Sequence, residues 1–438
     1  MSNKLKVLVL GGGGREHALA WAVTKSARVG EVVCAPGNGG IANVARCVPV
    51  DVTNLQAMLA VVLQEQPGLT VVGPEVPLAL GLVDELERRN LRVFGPTRAA
   101  AELESSKAFA KDFMRENNIP TAAYAVCETL NQALAQLNGF ALPVVVKADG
   151  LAAGKGVVIC NTRQEAETAI TEMFDGTLLG AAAQRVVLEE FLTGEELSFF
   201  AVCDGKHAVP LAGAQDHKRV GEGDTGPNTG GMGAYSTDAL LPDALRSWLT
   251  ANVAQRVVDG MAAEHTPFKG ILFCGIMMVP RPGGTVQPMV LEFNTRFGDP
   301  ETQALMLRLE SDVIDIFDAS IDGTADQLQV KMKPGASVCV IAASGGYPGA
   351  YASGKAIEGL AANTGKLAAS EVMVFHSGTA VKDGAMVTAG GRVLGVTAAA
   401  PDLRAALDAA YQRLSEISFE GMQYRRDIGW RALAAQKS

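Results

Sequence analysis

The sequence predicts a multidomain chain of α/β and α+β type: an N-terminal doubly wound parallel sheet, a central mixed α+β region, and a small C-terminal α+β domain. Three observations carry this reading. Apolar strand-like runs alternate with helix-length segments up to about residue 103. From 104 to 329 the strands follow one another across glycine-rich turns. From 330 to 438 they shorten and lead into one helix. A length of 438 residues is ample for several domains.

In the first region Val7-Leu8-Val9-Leu10 reads as a strand buried on both faces. Gly11 to Gly14 follow, then a helix from about Glu16 to Thr24, a strand at 31–35 and a Pro-Gly-Asn-Gly-Gly turn at 36–40. A helix near 54–66, the strand Thr70-Val71-Val72, a helix at 78–90 and the strand Arg92-Val93-Phe94 complete the alternation. The central region opens with a helix from about Ser106 to Asn117. The strands Val144-Val145-Val146-Lys147 and Val157-Val158-Ile159-Cys160 come next, then a helix near 163–174 and the strand Val186-Val187-Leu188-Glu189-Glu190. Later strands fall near 197–203, 271–279 and 286–293. In the tail the strands are Val338-Cys339-Val340-Ile341, Val372-Met373-Val374-Phe375 and Arg392-Val393-Leu394-Gly395-Val396, before a helix at 401–416.

Composition narrows the function. Hydrophobic residues make up 48% and charged residues 19%, as in a compact enzyme with an ample core. The formal charge is −9 with no long basic run, which disfavours nucleic acid as a partner. No apolar stretch reaches the length of a membrane span, and the start carries no signal-peptide core. The seven cysteines are scattered without a Cys-x-x-Cys pair, so they read as reduced core residues of a cytoplasmic protein.

The chemistry concentrates in Met289-Val290-Leu291-Glu292-Phe293-Asn294-Thr295-Arg296. As a strand, it would send Leu291 and Phe293 into the core and Glu292, Asn294 and Arg296 to the other face. A carboxylate, an amide oxygen and a guanidinium together suit a Mg²⁺-triphosphate site, since Mg²⁺ takes one or two protein oxygens beside phosphates and water. The plainer reading is a solvated polar strand face. Asp299 and Glu301 follow in Phe297-Gly298-Asp299-Pro300-Glu301, as ligand contacts or helix N-terminal residues. Lys147 ends an apolar strand and leads into Ala148-Asp149-Gly150-Leu151-Ala152-Ala153-Gly154-Lys155-Gly156, a loop of small residues able to fold over polyphosphate through Gly154 and Lys155. Its spacing is not that of a Walker A loop. In Glu189-Glu190-Phe191-Leu192-Thr193-Gly194-Glu195-Glu196, backbone groups at 190–192 would read an adenine edge and a carboxylate would hold ribose hydroxyls.

Gly11-Gly12-Gly13-Gly14-Arg15-Glu16-His17 opens a helix but completes no dinucleotide fingerprint, and the acid expected about 20 residues on is replaced by Ala35 and Pro36. Phosphate at that helix N-terminus and a purely structural turn both remain open. Asp216-His217-Lys218-Arg219 precedes the polar, glycine-rich stretch 221–233, which lacks hydrophobic periodicity and reads as a functional loop.

Taken together, these motifs resemble the ATP-grasp superfamily. Within it, Gly12-Gly13-Gly14-Arg15-Glu16-His17-Ala18, Lys147 to Gly156, Asp216-His217-Lys218-Arg219, Asn228-Thr229-Gly230-Gly231-Met232-Gly233 and Asn294 to Gln303 are similar to the phosphoribosylamine–glycine ligase family over nearly the whole chain. The resemblance implies an ATP-grasp fold at 104–329, with a lid of about 124–192. It implies ligation of glycine to 5-phosphoribosylamine with ATP and Mg²⁺ or Mn²⁺, through an acyl phosphate, by a monomer. It implies Glu292 and Asn294 as metal ligands, and Lys107, Lys147, Lys155 and Gly154 toward the nucleotide phosphates. It places Glu189, Glu190, Leu192 and Glu196 at adenosine, and Arg296, Asp216, Lys218 and Asp299 on the reacting side. Gly14, Gly37, Asn38 and Gly39 are implied at the ribosyl phosphate. Strand 271–279 carries no carboxylate, so a second metal lacks a ligand there. The alternatives are another ATP-grasp amine ligase or a bicarbonate-using carboxylase, and a nucleotide-binding regulator without turnover.

Overall fold

The computed structural model describes residues 4–151, 156–178, 183–360, 364–367 and 370–435. Gly154 and Lys155 lie outside them. The first sheet is parallel, from β1 (Leu5–Gly11), β2 (Val29–Pro36), β3 (Arg46–Cys47), β4 (Leu69–Val72) and β5 (Val93–Phe94), in the order β3-β2-β1-β4-β5. Val7 to Leu10 are fully buried, because helices and neighbouring domains cover both faces. The strand order reverses between β1 and β4, and in such sheets ligands gather outside the carboxyl ends at that point. The helix expected at 78–90 is two short ones, Glu75–Ala79 and Leu82–Glu87, separated at Gly81, whose φ of 82° is left-handed. The other expected helices hold at their places, and all but the first, whose N-cap is Gly13, begin at a side-chain cap. Asn54 accepts from Ala57 N–H, Ser106 from Phe109 N–H and Asp402 from Ala405 N–H.

A four-stranded antiparallel sheet follows, from β6 (Tyr124–Cys127), β7 (Val144–Ala148), β8 (Val157–Cys160) and β9 (Val186–Glu190), in the order β6-β9-β7-β8. Beyond it come β10 (Glu195–Asp204), β11 (Ala208–Asp216), β12 (Arg219–Gly221), β13 (Thr225–Asn228), β14 (Gly233–Thr237), β15 (Lys269–Pro280) and β16 (Val286–Asn294). The stretch read as one long loop therefore holds a two-stranded ribbon, β12-β13. Arg425 fixes that ribbon, donating to Arg219 O at 3.0 Å and to Asp224 Oδ1 at 2.9 Å. Such long-range anchors leave no periodicity in the local sequence.

The tail contributes β17 (Ala336–Ala343), β18 (Thr364–Leu367), β19 (Ser370–His376), the hairpin β20 (Thr379–Lys382) with β21 (Ala385–Thr388), and β22 (Arg392–Ala400). Central and tail strands share one nine-stranded sheet, β16-β15-β10-β11-β14-β17-β22-β19-β18. The join is the antiparallel pair β14-β17, with Gly233 opposite Val340 and Thr237 opposite Ala336. No helix among the described residues is long and apolar enough to cross a membrane.

Candidate functional site

Where the three regions meet there is a cavity of about 480 Å³. The N-terminal region supplies Arg15 and Glu75 to its wall, the central region Glu104, Lys107, Lys111, Lys147, Glu189, Asp216, Lys218, Glu292, Asn294, Arg296, Asp299 and Glu301, and the tail Tyr347 and Arg392. Local rules place many of these groups. Ser106 and Asp149 Oδ1, which accepts from Ala108 N–H at 3.1 Å, start the helix Lys107–Glu116 at Lys107. Four residues on, one turn along the same face, stands Lys111. Lys107 Nζ donates to Gly150 O at 2.7 Å.

Sequence reasoning missed Lys111, although its spacing from Lys107 was a readable signal. Its Nζ lies 2.8 Å from Glu189 Oε2, and Lys147 Nζ lies 2.8 Å from Glu189 Oε1. Lys147 and Glu189 project from paired strands as diagonal neighbours, since Glu189 sits opposite Val145. Burial lowers Lys111 to about 8, against the pull of Glu189. The two ammonium groups hold Glu189 below the usual carboxylate range despite its burial. Both oxygens of Glu189 are turned to lysines, so this residue, expected at adenosine, anchors two cations at the cavity wall.

Glu292 and Asn294 both face the cavity from the end of β16. The expected strict alternation fails at Leu291, which also borders the cavity. The register with β15 slips there, so Glu292 pairs with Gly275 and Val290 with Ile276, leaving Leu291 as the extra residue of a bulge. Among the described residues the Glu292 carboxylate accepts no hydrogen bond, and its nearest cation is Lys218 Nζ at 4.0 Å. Burial would raise Glu292, but Lys218, Lys147 and Lys107 hold it below the usual range. An ionised carboxylate beside an amide oxygen is a fitting pair for a hard divalent cation. On the neighbouring strand Gly275 stands opposite Glu292, where a Cβ would lie 3.3 Å from Glu292 Cγ.

Arg296 lies past the strand end, held by Glu104. Its Nη2 is 2.8 Å from Glu104 Oε1 and donates to Asn294 Oδ1 at 3.1 Å, while Nη1 donates to Phe297 O. Lys218 Nζ pairs with Glu196 at 2.7 Å. Glu196, Glu292 and Asp216 together hold Lys218 above its ordinary value although burial opposes its charge. Asp216 Oδ1 is buried with no hydrogen bond among the described residues. Burial first, then the nearby Glu301 carboxylate, pushes Asp216 well above the usual range, against Lys218. Burial also raises Glu301, whose Oε1 accepts from Ser198 Oγ at 3.2 Å. Asp299 accepts from Gln303 Nε2 at 2.8 Å and lies 3.4 Å from Arg392, a tail residue with no local sequence signal.

Several expected residues stand apart from the cavity. Glu190 is exposed and accepts from Ala123 N–H at 3.3 Å, and Leu192 packs with Ala122, Met277, Val279 and Met289. Gly14 is a packing glycine: a Cβ there would lie 2.5 Å from both Gln303 Nε2 and Ser377 Oγ. The helix end it opens is already capped by Glu16, whose Oε2 accepts from Gly13 N–H at 2.7 Å. Glu16 thus satisfies one backbone N–H at that helix start. Asn38 is committed to the fold, donating to Gly12 O at 2.9 Å and His376 O at 2.7 Å and accepting from Gly40 and Ile41 N–H at 2.9 Å. Gly39 N–H is taken by Thr379 O, and the left-handed Gly37 packs over Cys47. The 36–40 turn therefore docks the N-terminal sheet onto the tail.

The comparisons agree with this architecture along the chain. Residues 5–104, 105–302 and 337–431 match, in turn, the N domain, the ATP-grasp (A) domain and the C domain of phosphoribosylglycinamide synthetase. A phosphoribosylamine–glycine ligase of Xanthomonas campestris is 49% identical over 436 residues, covering 99% of each chain. One from Pseudomonas aeruginosa is 48% identical over 443 residues, again covering 99% of each. The crystal structure of the Thermotoga maritima phosphoribosylamine–glycine ligase superposes with a TM-score of 0.78 at 34% identity, over 97% of this chain and 100% of that one. A Campylobacter jejuni biotin carboxylase shares the fold alone, at 15% identity and a TM-score of 0.73 over 97% of this chain and 94% of that one. With its three consecutive sections and its full-length relatives all in accord, the chain belongs to the phosphoribosylglycinamide synthetase family.

Proposed function

We propose that the chain joins the carboxyl group of glycine to the amine of 5-phosphoribosylamine, converting ATP to ADP and phosphate, as a step of purine biosynthesis. The observation that carries the reading is the single cavity where Lys107, Lys147, Lys218 and Arg296 surround Glu292 and Asn294, in a chain matched along its length to this family. Lys107 and Lys147 bind the nucleotide phosphates, with Lys111 and Glu189 fixing the position of Lys147. Glu292 and Asn294 would hold Mg²⁺ or Mn²⁺, which when bound neutralises phosphate charge.

Glycine enters as a zwitterion. Its ammonium meets the orphaned Asp216 carboxylate and Glu301, and its carboxylate faces Lys218. A glycine oxygen then attacks the γ-phosphorus and the bond to ADP breaks, giving glycyl phosphate. The ribosylamine nitrogen attacks the acyl carbon, phosphate leaves, and the nitrogen loses a proton. Lys218, Arg296 and Arg392 stabilise the charge that moves between oxygens. Asp299 lies against Arg392 and orients it. No nucleophile of the protein is required, because positioning and electrostatics supply most of the acceleration in phosphoryl transfer.

The test is phosphate release from ATP with defined co-substrates. Release that needs both glycine and freshly generated phosphoribosylamine is the expected result. Release driven by bicarbonate, or by glycine with an unrelated amine, would overturn the reading.

A further inference from the structure

The N-terminal sheet contributes a carboxylate whose purpose the proposed chemistry leaves open. Glu75 follows β4 through Gly73 and Pro74, at the carboxyl end of the strand beside which the sheet order reverses. It reaches the same cavity as Lys218 and Arg296. The crevice beneath is closed, because a Cβ at Gly73 would stand 2.2 Å from Glu16 Oε1 and one at Gly11 would stand 2.5 Å from Glu16 Cγ. A ligand at this sheet edge is therefore held at the rim, where Glu75 stands.

The other acids of the cavity each have an assigned partner or role. Glu104 Oε2 accepts from Thr295 N–H at 2.8 Å and its Oε1 pairs with Arg296; Glu189 has two lysines; Asp299 has Gln303. Glu292 faces the metal position, and Asp216 with Glu301 faces the ammonium. Glu75 differs. Among the described residues it accepts no hydrogen bond from another residue, and its one ion-pair contact is loose, 3.5 Å to Arg296 Nε, which itself makes no hydrogen bond. Its side chain is 32% exposed, toward the cavity. Against its burial, Arg296 and Arg15 keep it below the usual carboxylate range. Such a group is a weak base and a good acceptor, and its two oxygens can take two neighbouring hydroxyls at once.

Building on the ligase reading, we propose that Glu75 binds the vicinal ribose hydroxyls of the ribosylamine substrate and makes the enzyme selective for ribose over deoxyribose. The N-terminal sheet then holds the sugar, while the central region holds the nucleotide and glycine, and the amine is presented between them.

The experiment compares two amines, made in place from ammonia with ribose 5-phosphate or with 2-deoxyribose 5-phosphate, at saturating ATP and glycine. A charge-assisted hydrogen bond corresponds to roughly tenfold or more, so the wild type should favour the ribose-derived amine in kcat/KM by about tenfold. Glu75→Ala should bring that preference to within about threefold. The ratio is taken on one preparation, so it does not depend on how much of the variant is folded. Glu75→Gln, which retains one acceptor, should fall between. Turnover without preference in the wild type, or an undiminished preference in Glu75→Ala, overturns the inference and leaves the ligase reading standing. Equal losses on both amines in the variant would show Glu75 acting on the amine itself and overturn it too. Absence of turnover with either amine removes the ligase reading and this inference with it.

Discussion

Lys111→Met tests the charge arrangement under the nucleotide site. Lys111 is buried, and its fall from 10.5 to about 8 means that its protonated form is held at a cost of about 3 kcal/mol relative to water. Removing it takes the one partner of the buried Glu189 Oε2, while Glu189 Oε1 keeps Lys147 at 2.8 Å and Thr121 Oγ1, which accepts from Lys111 Nζ, still donates to Val290 O. The loss at pH 7 should therefore be about 1–3 kcal/mol, the cost of one unpaired buried acceptor, and stay below the roughly 3–5 kcal/mol of a buried charge left wholly alone, because Lys147 remains. The pH dependence follows from linkage. Because the folded value lies below the unfolded one, the unfolded chain binds more protons between about pH 8 and 10.5. Stability from this group thus rises with pH across that window and is flat below it. Urea unfolding of wild type and variant at several pH values isolates the effect, since the other lysines cancel in the difference. The wild type should gain on the variant by about 3 kcal/mol between pH 8 and 10.5. A difference that stays flat across that range would refute the assignment of a low-lying Lys111. Activity gives a second readout: with Lys111 gone, Glu189 neutralises Lys147 alone, and the KM for ATP should rise about tenfold, about 1.4 kcal/mol of lost phosphate attraction.

Other outcomes follow from the same geometry. Glu292→Ala should lower turnover at least about a hundredfold with unchanged circular dichroism, since it removes a metal ligand and leaves cations unopposed; near-normal turnover in saturating Mg²⁺ would exclude that role. Asp216→Asn should raise the KM for glycine more than that for ATP, because the amide carries no charge for the ammonium; equal changes in both would count against the ammonium site. Gly14→Ala forces a Cβ to 2.5 Å from Gln303 and Ser377, so it should cost about 1–3 kcal/mol in urea unfolding, and an unchanged midpoint would show that the contact relaxes freely.

Much of the fold was legible because its signals are local. Ser106, Asn54 and Asp402 announce their helices by capping them, and Val7 to Leu10 announce a strand covered on both faces. Glu292 and Asn294 could be read as a metal pair because both stand two apart on one strand, and Lys147 because it ends another. The bulge at Leu291 was not legible, since a register slip depends on the partner strand. Glu189 looked like a nucleotide contact because its neighbours in sequence do, whereas its partners Lys111 and Lys147 come from other elements.

By itself, then, the sequence determined the strand–helix alternation of the N-terminal region, the caps, and the family motifs that imply an ATP-dependent ligase, all of which depend on residues close along the chain. Only the tertiary structure decided that the 36–40 turn and Asn38 hold the tail, that Glu16 caps its own helix, and that the tail strands extend the central sheet through β14 and β17. It also decided that Glu75, Arg15 and Arg392 face one cavity with Lys218. Those outcomes rest on charges and hydrogen-bonding groups that meet only after residues hundreds of positions apart have packed together, and no local pattern records which buried group will answer which.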